Sequence, residues 1–338
     1  MVELHVCPLD SVRCPQKRVG VTTGPADHHH IEDAIAGRGT LSDEQAAMVR
    51  AICSSTAGVE IVEGVAGAGK TFALAAAKDA WTASGLRVRG ACLAARAAEQ
   101  LQTDTGIPTS TLDRLLRQLD GDDPLTDRDV VVIDEAAMVG TRTLLRLLEH
   151  ANTAKAKIVL IGDPRQLPEI EAGGAVSALT ARLGAQKLTT NRRQDHPWER
   201  HALAHLRDGR IDHALDTYRT HGRLHTRGQN GGDVLEVVVQ DWWHARTHGQ
   251  HGLMIALRLS DVEDLNRLAR DHLHHAGQLG PDQLTHGHRA FAAGDQVLAL
   301  RNNYQLGILN GTRGQITTID SDRQIVKVWP VMPARPGP

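Results

Sequence analysis

The chain has 338 residues, which is long for one domain and enough for two medium-sized domains that each bury a core. Lys and Arg number 38 against 40 for Asp and Glu, so the net charge of −2 excludes a basic coat for nucleic acid. No apolar run approaches the roughly 18 to 20 residues that span a bilayer, and residues 1–20 lack a signal-peptide stretch. With only four scattered cysteines, these features predict a cytoplasmic protein without a membrane segment.

Residues 1–40 contain prolines, glycines and the run Asp27-His28-His29-His30 but no sustained apolar period. We predict an irregular extension here, with the three histidines in a solvated loop rather than a metal site, because consecutive residues point in different directions. From Leu41 the pattern changes. Ser42 is a suitable N-cap, and an amphipathic helix is predicted to reach Cys53.

Strand and helix candidates then alternate up to about residue 190. The predicted strands are 59–62, 86–93, 130–133 and 158–161, and the predicted helices are 72–83, 94–103, 110–119 and 141–149. Short apolar strands separated by helices are typical of a parallel sheet with helices on both faces. The sequence therefore predicts an α/β domain over residues 41–190.

The second half of the chain has a different pattern. Helices are predicted at 197–207, 211–219, 234–246 and 261–275, and a strand at 253–259. After residue 281 the sequence becomes β-rich and glycine-punctuated, with strands predicted at 296–300, 315–319 and 324–329. We therefore distinguish a region 191–280, a small β-rich region 281–330 and a disordered tail 331–338.

A phosphate-binding loop is predicted between the strand 59–62 and the helix 72–83. Its sequence is Gly64-Val65-Ala66-Gly67-Ala68-Gly69-Lys70-Thr71, with glycines, lysine and threonine at the required spacing. Glycines let successive backbone N–H groups converge on phosphates at the positive end of the following helix, and Lys70 adds a point charge. The Thr71 hydroxyl can ligate Mg²⁺, so ATP and Mg²⁺ are the predicted ligands.

Two more strands end in polar residues. Strand 130–133 leads into Asp134 and Glu135, where Asp134 can hold Mg²⁺ and Glu135 can polarise the water that attacks the γ-phosphate. Strand 158–161 leads into Gly162-Asp163-Pro164-Arg165-Gln166, whose Gln166 could sense the γ-phosphate, although such a segment can also be only a turn. The carboxyl edge of the sheet is the predicted site.

In this order, the motifs resemble those of superfamily 1 DNA helicases of the RecD branch, in particular the helicase part of TraA/TrwC-type conjugative relaxases. Leu41-Ser42-x-Glu44-Gln45 is similar to the motif whose glutamine, here Gln45, reads adenine. Leu188-Thr189-x-Asn191-Arg192-Arg193-Gln194 is similar to the motif whose arginine reaches the γ-phosphate, and its place before Gln194 favours Arg193 over Arg192.

The resemblance implies a RecA-like P-loop domain followed by a partial second RecA-like domain with a small SH3-like β insertion over 281–330. It also implies an ATP- and Mg²⁺-driven translocase on single-stranded DNA, with other conjugation or plasmid-transfer proteins as further partners. Candidate catalytic residues under this reading are Lys70, Asp134, Glu135, Gln166 and Arg193.

The sequence departs from the family pattern in two places. Motifs that complete the second motor domain are not found in residues 311–338, so we expect ATP binding with impaired coupling to movement. The first tyrosine is Tyr218, so no tyrosine stands near the start of this sequence for the DNA-nicking reaction of a relaxase.

Because the net charge is close to zero, any contact with DNA must rely on a local positive groove. Residues 191–230 hold eight Arg against five Asp or Glu, and Trp198 and Tyr218 could stack on bases or belong to a helix core. Trp242 and Trp243 are predicted to anchor a helix. Three functions stay open at this point: a helicase or translocase module, an ATP-binding protein without motor activity, and a P-loop enzyme of another class such as a kinase.

Overall fold

The computed structural model describes residues 24–163, 165–166, 174–225, 231–250, 252–287, 289–303 and 305–330. The predicted tail 331–338 lies outside the described residues. The chain divides between Ala214 and Leu215 into two compact units.

The first unit is built on a six-stranded parallel sheet, in agreement with the predicted fold class. Its strands are β1 (Val59–Gly64), β2 (Arg87–Cys92), β3 (Thr109–Thr111), β4 (Asp129–Ile133), β5 (Lys157–Gly162) and β6 (Gln186–Leu188), in the spatial order β3-β2-β4-β5-β1-β6. The helices before the division are α1 (His28–Ala36), α2 (Asp43–Ser54), α3 (Lys70–Ala83), α4 (Ala95–Thr105), α5 (Leu112–Asp120), α6 (Thr141–Ala154), α7 (Ala175–Leu183) and α8 (Pro197–Arg207), and the division falls within α9 (Ile211–Thr220).

The sheet separates two hydrophobic cores. Side chains alternate across a strand, so Val130 and Val132 of β4 face one core, and Val131 and Ile133 face the other. Helices α1 to α4 cover the first core, where Trp81 is fully buried, and α5 to α7 cover the second. Every residue of β4 and β5 is buried, and after the charged residues Asp129 and Lys157 at their starts both strands are continuous apolar runs, as expected for strands covered on both faces.

Helix α1 contradicts the predicted irregular structure at residues 28–36 and the predicted histidine loop, while residues 1–23 of the predicted extension lie outside the described residues. His28, His29 and His30 form the first turn of this helix. The side chain of His29 pairs with Asp33 one turn later at 3.1 Å, and Ile31 is 1% exposed in the first core. Ala34 and Ile35 pack on the same core beside Ile31, but this i, i+3, i+4 pattern covers only one turn and is too short to show a sustained period in the sequence.

The edge strands β3 and β6 were not predicted, because three residues are too few to show a period. Residues 110 and 111, which were predicted to begin a helix, complete β3 instead, and α5 starts at Leu112.

The second unit consists of a helix pair and two small antiparallel sheets. Its elements are α10 (Gly231–Thr247), α11 (Leu259–His275), the hairpin β7 (Asp282–His286) and β8 (Arg289–Ala292), and the sheet β11-β10-β9 formed by β9 (Gln296–Leu298), β10 (Arg313–Asp320) and β11 (Ile325–Pro330). None of the helices in the described part of the chain is long and apolar enough to cross a membrane.

Helices α10 and α11 share a small core around Val239, Leu265 and Ala269, against which Trp242 packs. The neighbouring Trp243 stacks on His272 of α11 with 5.5 Å between ring centroids. Both tryptophans therefore stabilise the helix pair, as the sequence predicts.

A buried ion pair joins α11 to the β region. The Arg270 guanidinium donates to both carboxylate oxygens of Asp295, with Nε–Oδ1 and Nη2–Oδ2 distances of 3.1 and 3.2 Å. Asp295 is 8% exposed and also accepts the backbone N–H of Ala292 at 2.7 Å. The carboxylate thus fixes the turn after β8 to the helix.

The predicted strand 253–259 is wrong: residues 252–256 have no regular secondary structure, and α11 starts at Leu259. The apolar alternation that suggested a strand is real, because Met254 and Ala256 pack on the helix-pair core while Ile255 and Leu257 are exposed. No described strand lies beside the segment to pair with it.

We predict that Ile31→Ala lowers the free energy of unfolding by about 2 to 5 kcal/mol, because it removes a fully buried side chain and leaves a cavity. His29→Ala on the exposed side of α1 should change it by less than about 0.5 kcal/mol. Urea denaturation followed by circular dichroism measures both. Equal effects of the two substitutions would contradict the docking of α1 in the core.

Candidate functional site

The loop between β1 and α3 has the geometry of a phosphate cradle. Gly67 and Gly69 have φ values of 80° and 74°, the left-handed region that glycine adopts without strain. Gly69 leads directly into α3, so the free N–H groups of that helix end face the loop. Lys70 begins α3 and its Nζ donates to the carbonyl of Gly64 at 2.9 Å. The ammonium group therefore lies across the mouth of the loop.

Gly64 must be glycine for Lys70 to take this position. A Cβ at Gly64 would lie 2.5 Å from Cδ of Lys70. The loop continues with Val65, whose N–H donates to Leu188 of β6 at 3.0 Å, and it closes on itself through the Ala68 N–H to Val65 carbonyl bond of 3.1 Å. Thr71 occupies the first turn of α3, beside Lys70. The structure thus assembles the predicted loop residues 64–71 at the end of β1.

The two carboxylates after β4 lie near Lys70. The Asp134 carboxylate accepts the N–H of Glu135 at 2.9 Å, and Glu135 has a φ of 53°, which is unusual for a residue with a side chain. Burial raises the pKa of the Asp134 carboxyl, although the Glu135 N–H and the positive charge of Lys70 act in the opposite direction. Burial and the charge of Asp134 likewise raise the pKa of Glu135.

Asp163 follows β5 and is the third carboxylate at this edge. It is 1% exposed and receives both terminal nitrogens of Arg207, the last residue of α8. Burial acts to raise the pKa of Asp163, but the bonds from Arg207 outweigh it, and the pKa lies below its usual range. The buried carboxylate is therefore ionised and neutralised by Arg207.

Gln166 belongs to the turn that follows Asp163. Its backbone N–H donates to the Asp163 carbonyl at 3.0 Å, and its side chain is half-buried. In the same turn, the Arg165 guanidinium donates to the carbonyl of Arg207 at 2.9 Å. The turn is thereby tied to the end of α8 on two sides.

The segment after β6 lies directly on the phosphate loop. The N–H of Arg192 donates to the carbonyl of Gly67 at 2.8 Å, and a Cβ at Gly67 would lie 2.6 Å from Cβ of Arg193. The side-chain amide oxygen of Asn191 accepts the N–H of Arg193 at 2.9 Å, which holds the turn. The Cβ of Arg193 therefore lies beside the loop, and the choice of Arg193 over Arg192 stays a prediction.

Gln45 lies beside the loop, but its amide faces the loop backbone. It is 2% exposed, and its Nε2 donates to the carbonyls of Ala68 at 3.0 Å and Gly69 at 3.3 Å. Its Oε1 accepts the N–H of Ser42 at 3.0 Å, which closes a capping box at the start of α2. A base-reading role would require these bonds to be exchanged for bonds to the base.

Two residues at the site were missed by the sequence reasoning. Glu44 lies in the first turn of α2, and its carboxylate accepts the hydroxyl of Thr189 at 2.8 Å. Arg207 lies 44 positions from its partner Asp163. Only the place of Glu44 in the first turn of a helix could have singled it out, and nothing local marks Arg207.

The aromatic residues proposed for DNA stacking are half-buried in the structure. Trp198 of α8 stacks on His196 with a centroid distance of 6.3 Å, and Tyr218 lies in α9.

A parallel sheet with a glycine loop, a lysine and a carboxylate pair at its carboxyl edge defines a P-loop nucleoside-triphosphate-binding domain. A family model described as an AAA domain matches residues 40–229, more than half of the chain, and the chain belongs to this family. A second model, described as the SH3 domain of ATP-dependent RecD-like DNA helicases, matches residues 265–329.

Curated relatives agree with both matches. A probable conjugal transfer protein TraA of Sinorhizobium fredii is 36% identical over 305 residues, covering 89% of this chain and 28% of that protein. A conjugal transfer protein TraA of Rhizobium radiobacter is 38% identical over 292 residues, which cover 85% of this chain and 26% of that protein. The ATP-dependent RecD2 DNA helicase of Deinococcus radiodurans is 27% identical over 359 residues, which cover 96% of this chain and 46% of that protein.

The chain spans about a quarter of the length of the TraA relatives. Among solved structures, a Pif1 helicase from work on the unwinding of forked double-stranded DNA aligns with a TM-score of 0.53 at 19% identity. The alignment covers 86% of this chain and 74% of that chain, and it shows a shared fold.

Gly67→Ala should weaken nucleotide binding and lower the melting temperature more than Gly85→Ala. Both glycines have positive φ, so each alanine costs about 1 kcal/mol of backbone strain. Only at Gly67 would the new methyl group also collide with Arg193, because nothing lies within 4 Å of a Cβ at Gly85. Thermal unfolding and titration with a fluorescent ATP analogue test this, and equal losses would contradict the close packing on the loop.

Asp134→Asn should raise the melting temperature in the absence of nucleotide and Mg²⁺. Because folding raises the pKa of Asp134, the ionised carboxylate costs stability at neutral pH, and the cost disappears when the group is protonated in acid. The gain over the unsubstituted chain should therefore shrink as the pH falls. Asp122→Asn on the surface is the control, and a pH-independent difference would argue against a desolvated charge at Asp134.

Proposed function

We propose that the chain is an ATP-binding and ATP-hydrolysing module of a DNA helicase or translocase of the conjugative relaxase type. The observation that carries the proposal is the convergence of Lys70, Asp134, Glu135 and the Arg193 segment on one phosphate loop at the sheet edge. The helicase names of the RecD-like relatives and the matched SH3 domain support the motor assignment.

The chain's own residues would share the reaction as follows. Lys70 exchanges the Gly64 carbonyl for a phosphate oxygen and stabilises the charge that develops on the γ-phosphate. Glu135 orients the attacking water and accepts its proton, and the raised pKa of its carboxyl makes it a stronger base than an ordinary glutamate. Gln166 and Arg193 approach from the neighbouring strand ends, where they would sense the γ-phosphate.

The donor set fits a hard cation such as Mg²⁺. Thr71 supplies a hydroxyl, and Asp134 supplies a half-buried carboxylate that accepts one backbone N–H. When bound, Mg²⁺ supplies charge neutralisation on the β- and γ-phosphates.

Single-stranded DNA is the proposed track. The relative named as a RecD2 DNA helicase supports it, and the excess of arginine over acidic residues in 191–230 gives a local positive stretch in a chain that is close to neutral. The TraA relatives support a place among conjugal transfer proteins, and we propose the cytoplasm as its location and other transfer proteins as its partners.

Steady-state ATP hydrolysis with and without single-stranded DNA tests the proposal. DNA should raise turnover, and Lys70→Ala and Glu135→Gln should each lower it by at least about 100-fold, because each removes a group needed in the transition state. Lys78→Ala, on the same helix as Lys70, and Glu149→Gln on α6 are the matched controls and should keep normal turnover.

Turnover that is indifferent to DNA would contradict the motor assignment. Nucleotide binding with negligible turnover would instead favour an ATP-binding protein, and phosphate transfer to a small acceptor would favour a kinase.

A further inference from the structure

The turn after β5 carries Gln166, which would sense the γ-phosphate, and it begins at a buried carboxylate. Asp163 is 1% exposed, and its Oδ1 accepts the N–H of Arg165 at 3.1 Å. The carbonyl of Asp163 accepts the N–H of Gln166 at 3.0 Å. Asp163 thus shapes the turn with both its side chain and its main chain, so the position of Gln166 depends on where the carboxylate lies.

The end of β5 is also fixed by close backbone packing. A Cβ at Gly162, the last residue of β5, would lie 3.2 Å from the backbone nitrogen of Ala137. Ala137 belongs to the 3-10 helix Ala136–Met138, which directly follows Glu135. The start of the turn therefore lies against the segment that carries the proposed base, and it has little room to shift in that direction.

Arg207, the last residue of α8, holds the carboxylate of Asp163. Its Nη1 donates to Oδ2 and its Nη2 donates to Oδ1. Two parallel bonds from a guanidinium fix the plane of a carboxylate as well as its position, which a point charge cannot do. The pair therefore fastens the turn after β5 to the end of a helix that lies outside the sheet.

A second arginine joins the same two elements in the opposite direction. The Nη1 of Arg165, in the turn, donates to the carbonyl of Arg207 at 2.9 Å and to Oδ1 of Asp208 at 3.2 Å. The last carbonyls of a helix have no partner within the helix, so Arg165 also satisfies the end of α8. The turn and the helix end are thus tied by bonds from both sides.

We propose that Arg207 is a positioning residue that sets Gln166 for the γ-phosphate by holding the turn after β5 against the end of α8. Arg207 acts through Asp163 and touches neither the nucleotide nor the reacting atoms. Its effect on turnover rests on the proposed ATP hydrolysis, whereas its hold on the turn can be tested without any nucleotide.

Hydrogen exchange without nucleotide tests the hold on the turn. In Arg207→Met the amides of Arg165 and Gln166 should exchange at least about fivefold faster, because the residue that accepts them is released. Arg207→Lys keeps the charge without the paired bonds and should restore part of the protection. Arg50→Met, which removes an equally paired but exposed bond to Glu32, is the matched control and should change neither amide. Unchanged exchange in Arg207→Met would overturn the proposal.

ATP turnover in the absence of DNA tests the effect on Gln166. DNA is left out because Arg207 lies in the positive stretch 191–230. Arg207→Met should lower kcat about tenfold and change KM for ATP by less than about twofold, because a misplaced sensor weakens the transition state more than the bound substrate. In a Gln166→Ala background the same substitution should have no further effect. A multiplicative loss in the double variant, or a loss confined to KM, would contradict the positioning role.

A variant that removes both charges separates positioning from charge balance. Arg207→Met leaves the buried Asp163 carboxylate without its counter-charge and should lower the melting temperature. Adding Asp163→Asn removes that charge, so the melting temperature should recover. The value of kcat should stay low, because the link to α8 is still missing. Recovery of kcat together with stability would show that the pair only balances charge, and the proposal would then be wrong.

Failure of the proposed function has a different signature. If the unsubstituted chain hydrolyses no ATP but Arg207→Met shows the predicted faster exchange, only the proposed function is contradicted. Because exchange requires no turnover, the hold of Arg207 on the turn is decided in either case.

Discussion

Strand β1 is hydrogen-bonded on both sides, to β5 and to β6, and the site depends on this double pairing. Parallel strands present their carboxyl ends at one edge, so the loop after β1 lies between the turn that follows β5 and the segment that follows β6. With β4 next to β5, the carboxylates after Ile133 join the same edge. Residues that are more than 100 positions apart in the chain thus become neighbours through the register of four strands.

The carboxylates at this edge of the sheet are only partly neutralised by neighbouring positive charges. Asp134, Glu135 and Asp163 bring three carboxylates together, and Arg207 neutralises only the most buried one. The pKa values of the other two are raised, which means that their ionised forms are held at a cost in folding stability. The site therefore retains negative charge that a cation and the ammonium of Lys70 can compensate when nucleotide binds.

Much of the fold could be predicted because its information is local. The apolar runs of β1, β4 and β5, the glycine loop and the start of α8 at Pro197 are each contained in a few consecutive residues. Lys70, Asp134 and Glu135 follow from the same local patterns, since they stand at the start of a helix or directly after a buried strand, whereas Arg193 was selected by the resemblance to a family motif.

The contacts that could not be predicted join distant residues. Glu44 and Thr189 are separated by 145 positions, and neither forms a pattern with its own neighbours. Gln45 shows the same difficulty, because its motif suggested a ligand, whereas its packing directs the amide into the protein. In the segment 253–259 packed and exposed side chains do alternate, as in a strand. The neighbouring strand that a sheet would require is not found among the described strands. Propensity and period describe one element at a time, and these features depend on pairs.

The ion pair between Arg270 and Asp295 defines where the β-rich module begins. The matched SH3 region starts at residue 265, inside α11, and so includes the arginine together with its carboxylate partner. A boundary at residue 281, where the β pattern begins in the sequence, would separate the two and leave a largely buried aspartate without its counter-charge. The last turns of α11 are therefore part of the module's minimal folding unit, and its border is set by charge compensation rather than by the change from helix to strand.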